Sequence, residues 1–138
     1  LTLDVDYVIF GIKEDVGVFA NYGNTGASKA WDATLKVLLN IQSNEFTNPS
    51  KVLILGHLDF SDMMEKVKLL DQNNKKDITK ARKKVAKIDK YVTDLVYQIV
   101  KAGKTPIIIG TNITYSLLSI SIRFFTFLFS TTPNITLL

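Results

Sequence analysis

The chain contains no cysteine. That excludes disulfides, thiolate metal sites and a cysteine nucleophile together. Histidine is almost missing as well, since His57 is the only one. Ser/His/Asp catalysis has no support, because His57 has no evident partner and no serine sits in a nucleophile-elbow setting. Neither G-x-G-x-x-G nor G-x-x-x-x-G-K-[ST] occurs, so neither a dinucleotide site nor a P-loop is indicated. No apolar run is long enough to cross a bilayer, which takes about 20 residues. The longest, residues 117–129, is diluted by Ser119, Ser121, Arg123 and Thr126, and Pro133 follows. A signal peptide is not expected, because Asp4 and Asp6 stand where a basic leader segment would be. The chain opens at Leu1 rather than Met, which reads as a trimmed or incomplete start. A cytoplasmic location and no membrane partner are the expectations.

What is present suits one compact domain or a piece of a larger one: 138 residues, 46% of them hydrophobic. The net charge is +4. Much of the basic excess falls between Lys75 and Lys90, at Lys75, Lys76, Lys80, Arg82, Lys83, Lys84, Lys87 and Lys90. No aromatics interleave with these cations, and most lie on the outer face of an expected helix. They are taken as a solvated face, with no nucleic-acid partner.

The order of elements is legible. Between Asp4 and Gly11, Val5, Tyr7, Val8, Ile9 and Phe10 are β-branched or aromatic in a near-continuous apolar run, which predicts a strand buried on both faces. Gly11 to Gly26 reads as a long Gly- and Asn-rich loop. Ala27 to Gln42 reads as a helix packing through Ala30, Trp31, Thr34, Leu35, Leu38 and Leu39. Asn48-Pro49-Ser50 is a turn, and Lys51 to Leu58 is expected to be a second buried strand. A loop and short helix occupy Asp59 to Leu70, and the polar stretch Asp71 to Lys76 is a surface excursion. Ile78 to Ala102 predicts a long helix with Val85, Ile88, Val92, Leu95, Val96, Ile99 and Val100 on one stripe. Gly103 ends that helix, and Thr105 to Gly110 is a third strand. Strand and helix in alternation predict an α/β fold with a parallel sheet. Open sheets of this kind place ligands at the carboxyl ends of their strands.

Three groups of residues are candidates for chemistry. His57 and Asp59 form an H-x-D at the end of the second strand, where both side chains can share one side and hold a metal. Two ligands make no site, so the favoured role is capping a loop or helix. Asp4 and Asp6 can hold a hard cation, but they stand at the entrance of the first strand, opposite the expected site. The loop after the first strand offers Glu14, Asp15, Asn21 and Asn24 as candidate substrate contacts. Asx turns and helix capping are the alternative use of the same residues.

Taken together, D-Y-V-I-F-G-I-K-E-D-V-G-V-F-A-N-Y-G-N-T-G-A, the helix A-W-D-A-T-L-K-V-L-L-N-I-Q, the strand K-V-L-I-L-G-H-L-D-F and the segment V-Y-Q-I-V-K-A-G-K-T-P-I-I-I-G resemble a known family. It is the N-terminal part of the arginase–agmatinase–formimidoylglutamase (ureohydrolase) family, and the formimidoylglutamase-like bacterial branch is the nearest. The resemblance covers Asp4 to Gly110. It implies a three-layer α/β/α fold with a mainly parallel sheet, and homo-oligomers are common in the family. It also implies a manganese pair that activates a hydroxide to attack an amidine or guanidine carbon, hydrolysing a C–N bond.

One departure bears on that activity. In the family the third strand runs into a Gly-Gly-x-His turn whose His is the first metal ligand. Here the stretch is Gly110-Thr111-Asn112-Ile113, and Ile113 cannot ligate a metal. The family's other ligands belong to Asp-x-His-x-Asp and Asp-x-Asp segments further on, and the chain stops before either. No catalytic, cofactor or metal residue is therefore assigned, no cofactor is expected for this chain, and inactivity is the expectation. Residues 1–110 are taken as the truncated arginase-like portion. Residues 111–138 are an atypical Ser/Thr/Phe/Leu/Ile-rich tail whose composition fits an out-of-frame continuation. A non-catalytic α/β binding or interaction module is the alternative reading, and a tail-anchored domain a third.

Overall fold

The computed structural model describes residues 3–44 and 48–110. The expectations for residues 111–138, an atypical tail of out-of-frame composition or a membrane anchor, lie outside the described residues. Seven elements carry the fold: β1 (Tyr7–Lys13), α1 (Val16–Ala20), α2 (Ala30–Leu38), β2 (Val52–Asp59), α3 (Ser61–Lys68), α4 (Lys75–Lys101) and β3 (Thr105–Ile109). Short 3-10 turns at Ala27–Lys29 and Pro49–Lys51 lead into α2 and β2.

The strands lie in the order β2-β1-β3, and β1 is parallel to both neighbours. Tyr7 pairs with Val52 on one side and Thr105 on the other, and Ile9 with Ile54 and Ile107. The alternation of strands and helices thus gives the expected α/β fold with a small parallel sheet. The sheet's centre is β1, where residues 8–12 are all buried. Val8, Phe10 and Ile12 face a core filled by Ile88, Val92, Val96 and Ile99 of α4, Phe60, Val67 of α3 and Ile108 of β3. The stripe expected on α4 is the one it buries, with Val85, Leu95 and Val100 packed around it.

Helix α4 has recognisable ends. The Asn74 side chain accepts the Lys76 backbone N–H at 2.9 Å as its N-cap. At the other end Gly103 takes φ +73°, a left-handed value that glycine adopts at least cost. Lys104 N–H then closes back on the Ile99 carbonyl, and Thr105 N–H donates to the Asp6 carbonyl at 2.8 Å to start β3. Pro106 lacks an N–H, which an edge position tolerates.

Three expectations are corrected. β2 is not a buried strand: none of its residues is buried, and Leu55 is 48% exposed. It forms an edge of the described sheet, so only β1 covers it laterally. Its pairing also slips between Ile9 and Phe10, which face Ile54 and Gly56 and leave Leu55 as the extra residue of a bulge. The segment from Gly11 to Gly26 is not one long loop. β1 runs on to Lys13, and α1 follows with Val16, Gly17 and Ala20 buried against α4. Finally, α2 stops at Leu38, so Leu39 lies past its end and is 66% exposed; only Trp31 is fully buried.

Candidate functional site

Parallel strands bring their carboxyl ends to one edge, and that edge gathers most of the residues singled out above. β1 and β3 meet there closely. A Cβ on Gly110 would lie 2.9 Å from the Ile12 carbonyl oxygen, so only glycine passes at this point without a shift. A similar constraint holds one turn of the pleat earlier. A Cβ on Gly11 would lie 2.4 Å from the Trp31 ring, which seals that face of β1. The same indole stands 6.3 Å from the imidazole of His57, centroid to centroid.

Glu14 follows β1 directly. It is 3% exposed, and one carboxylate oxygen accepts the Gly17 N–H at 2.8 Å in the first turn of α1. Burial pushes its pKa up to about 7, against the lowering effect of the Gly17 and Val16 N–H groups; the charges of Asp15 and Asp89 push the same way as burial. Asp15 bonds instead to the turn before α2. Its carboxylate accepts the Gly26 N–H at 2.9 Å, the Ser28 N–H at 3.2 Å and the Ser28 hydroxyl at 2.7 Å. Partial burial would raise its pKa, but the Ser28, Gly26 and Ala27 donors outweigh that and hold it below the usual range. It therefore fastens the turn that leads into α2.

The two asparagines are separated from this pair. Asn21 caps the C-terminus of α1 and is exposed. It lines a shallow cleft of about 270 Å³ between α1 and α4, with Gly17, Ala20, Arg82, Val85 and Asp89. Asn24 lies on an exposed bend beyond Tyr22, which holds a left-handed φ of 60°. Gln72 ties this bend down through the Phe19 and Gly23 carbonyls at 3.3 and 3.4 Å. The candidate loop residues thus divide: Glu14 and Asp15 hold α1 and the turn before α2, Asn21 borders the cleft, and Asn24 faces water.

At the end of β2, Asp59 accepts the Ser61 N–H at 2.9 Å and the Ser61 hydroxyl, closing the start of α3. Those two bonds lower its pKa, with help from the charges of His57 and Lys13. Asp59 thus makes an Asx turn one residue ahead of Phe60, the N-cap of α3, which has no side-chain cap of its own. Asp4 ion-pairs with Lys51 at 2.9 Å, and the Asp6 N–H donates to the Lys51 carbonyl. Lys13, registered beside Asp59, is instead bound to Asp32 of α2 at 2.9 Å. This tie between β1 and α2 was missed from the sequence, where a lysine and an aspartate 19 residues apart give no periodic signal.

No group of three or more His, Cys, Asp or Glu able to hold a metal occurs among the described residues. Asp15 and Asp59 have oxygens committed to backbone and serine donors, and Glu14 is closed off from solvent. Nor, among the described residues, is any helix long and apolar enough to cross a membrane. Comparison with protein-family models, with curated proteins and with solved structures finds no match.

Proposed function

We propose that residues 4–110 are the N-terminal part of an arginase–agmatinase–formimidoylglutamase type domain, three-layered when whole, and that this chain does not itself hydrolyse an amidine or guanidine. A cytoplasmic location goes with that reading. The observation that carries it is the meeting of β1 and β3 at their carboxyl ends, where Gly110 lies against Ile12. By the resemblance, a metal-binding turn should leave the sheet at this point. Three residues on, the sequence has Ile113, a side chain with no lone pair for a metal.

The test is manganese titration by calorimetry on the monodisperse chain, beside a formimidoylglutamate hydrolysis assay. The expected result is neither binding heat nor turnover. Turnover that depends on manganese would overturn the claim of inactivity. The ancestry has its own check. Sequencing the gene across the Gly110 codon should reveal, in a second frame, a Gly-Gly-x-His continuation, and its absence from both alternative frames would count against the out-of-frame origin.

The second reading, a non-catalytic α/β interaction module, is favoured by one feature. Ile54 and Leu55 stand 37% and 48% exposed on β2 at the sheet edge, and an apolar edge of this kind pairs with other chains. A soluble, metal-free species with a sharp reversible unfolding transition would support this second reading.

A further inference from the structure

The charge of this chain is gathered in one place. Residues 75–90 hold eight Lys and Arg against two carboxylates, Asp77 and Asp89, which leaves nine Lys and Arg against eleven Asp and Glu elsewhere. The structure begins α4 at Lys75, inside the stretch expected to be a surface excursion, so all eight cations share one rigid helix. Five of them, Lys76, Lys80, Lys83, Lys87 and Lys90, recur at steps of four and three and are all exposed. That spacing keeps them in one row, on the side away from the buried Ile78, Ala81, Ile88 and Val92. At 1.5 Å per residue the row is about 21 Å long. Among the described residues, only Lys80 and Lys90 of the row make an ion pair, with Asp77 and Asp94, and both pairs are exposed on the cation side, where such contacts are weak. Asp89 does not interrupt the row, because it faces the cleft against α1.

Against the solvated-face reading that the sequence alone gives, we propose that this row is a docking track for single-stranded nucleic acid. A straight line of like charge complements a linear polyanion better than a flat lipid surface. The row also carries no Leu, Ile, Val or Phe to insert between lipids, since the aliphatic stripe of α4 is spent on the core. Lysines without Asn, Gln or Arg among them neutralise phosphates and read no base edge, so binding is independent of sequence. Tyr91, one turn beyond Lys87, is 58% exposed and braced at 6.2 Å by the Phe60 ring, and it gives a base a face to stack on.

The probe is a fluorescent oligo-dT of about twenty nucleotides, followed by anisotropy with the full chain from about 20 to about 200 mM salt. Binding should weaken with salt at a log–log slope near −3.5 if all five lysines neutralise phosphates. The variant Lys83→Glu/Lys87→Glu should lose at least ~10-fold in affinity and bring the slope to about −2. Lys29→Glu/Lys66→Glu, an equal charge change off the row, should stay within about twofold. Should the first variant lose its helical circular dichroism, Lys83→Gln/Lys87→Gln takes its place. No binding at the lowest salt, or equal losses from both double variants, would overturn the track. So would tighter binding to phosphatidylserine vesicles than to the oligonucleotide, which would make the face a membrane contact.

Discussion

β1 and β2 are close in composition and differ in everything that follows from position. Each is a run of Val, Ile and Leu or Phe with one glycine, each is parallel to the other, and a carboxylate stands at the exit of each. β1 has a strand on both sides and five consecutive buried residues; β2 lies at an edge and buries none. The two carboxylates follow their strands. Glu14 is buried, and desolvation pushes its pKa up to about 7. Asp59 is exposed, and Ser61 holds its pKa below the usual range. Apolar content therefore marks a strand as a strand, while its place in the sheet decides burial, and burial sets the chemistry of the group at its end.

Truncating one apolar side chain on each strand separates these effects most widely. Phe10 is 1% exposed and packs on α4, so Phe10→Ala should cost about 3–5 kcal/mol. A domain of this size has only about 5–15 kcal/mol in total, so its cooperative transition in urea should be lost or nearly so. Leu55→Ala removes the half-exposed bulge residue and should cost under about 1 kcal/mol. Equal losses from the two variants would show that β2 is covered in solution and end the contrast.

Glu14 provides the next test, in pH. Its folded pKa of about 7 lies above the ordinary value of 4.5. Below the ordinary value both states are protonated and nothing is lost. As pH rises, the unfolded chain releases this proton first, so stability falls until the folded group ionises near pH 7 and is level above it. The wild type should lose on the order of 3 kcal/mol between about pH 5 and about pH 8 through this group. Glu14→Gln, which keeps an acceptor for the Gly17 N–H, should flatten that slope. Thermal melts across this range give the answer, and parallel curves for the two proteins would mean that Glu14 is solvated in the folded chain.

How much of this was legible beforehand follows the same line. Elements with a strong internal period were readable: the stripe on α4 from Val85 to Val100 is the face it buries, and the parallel order follows from the alternation of strands and helices. Features that depend on a distant neighbour were not. Nothing in Val52–Asp59 reveals that no described strand lies beyond it, and the bulge at Leu55 left only Gly56, at φ +113°, as its trace. Helix α1 is five residues long, too short to show a period, and it owes its stability to packing on α4. At the candidate site, the choice between capping and chemistry for Glu14, Asp15 and Asp59 turned on which donors came within reach. Ser28 is thirteen residues from Asp15, and its bond to Asp15 is a product of the fold.

Asp59 sharpens the comparison through the smallest effect. Its lowered pKa gives a contribution of the opposite sign to that of Glu14. The contribution is complete above the ordinary carboxylate pKa, about 4, and is lost as pH falls through the folded value. Asp59→Asn keeps an oxygen for the Ser61 N–H and hydroxyl but cannot titrate. Asp4, Asp15 and Asp77 also have lowered values, so the quantity to follow is the difference in melting temperature between wild type and variant. That difference should be constant from pH 5 to pH 8, where the Glu14→Gln difference changes most, and should shrink only below about pH 4. Its size at neutral pH should be less than half that of Glu14→Gln, because an exposed acceptor can exchange the lost bonds for water. A change between pH 5 and pH 8 instead would place Asp59 in the same buried electrostatic environment as Glu14, and the two strand ends would no longer differ in kind.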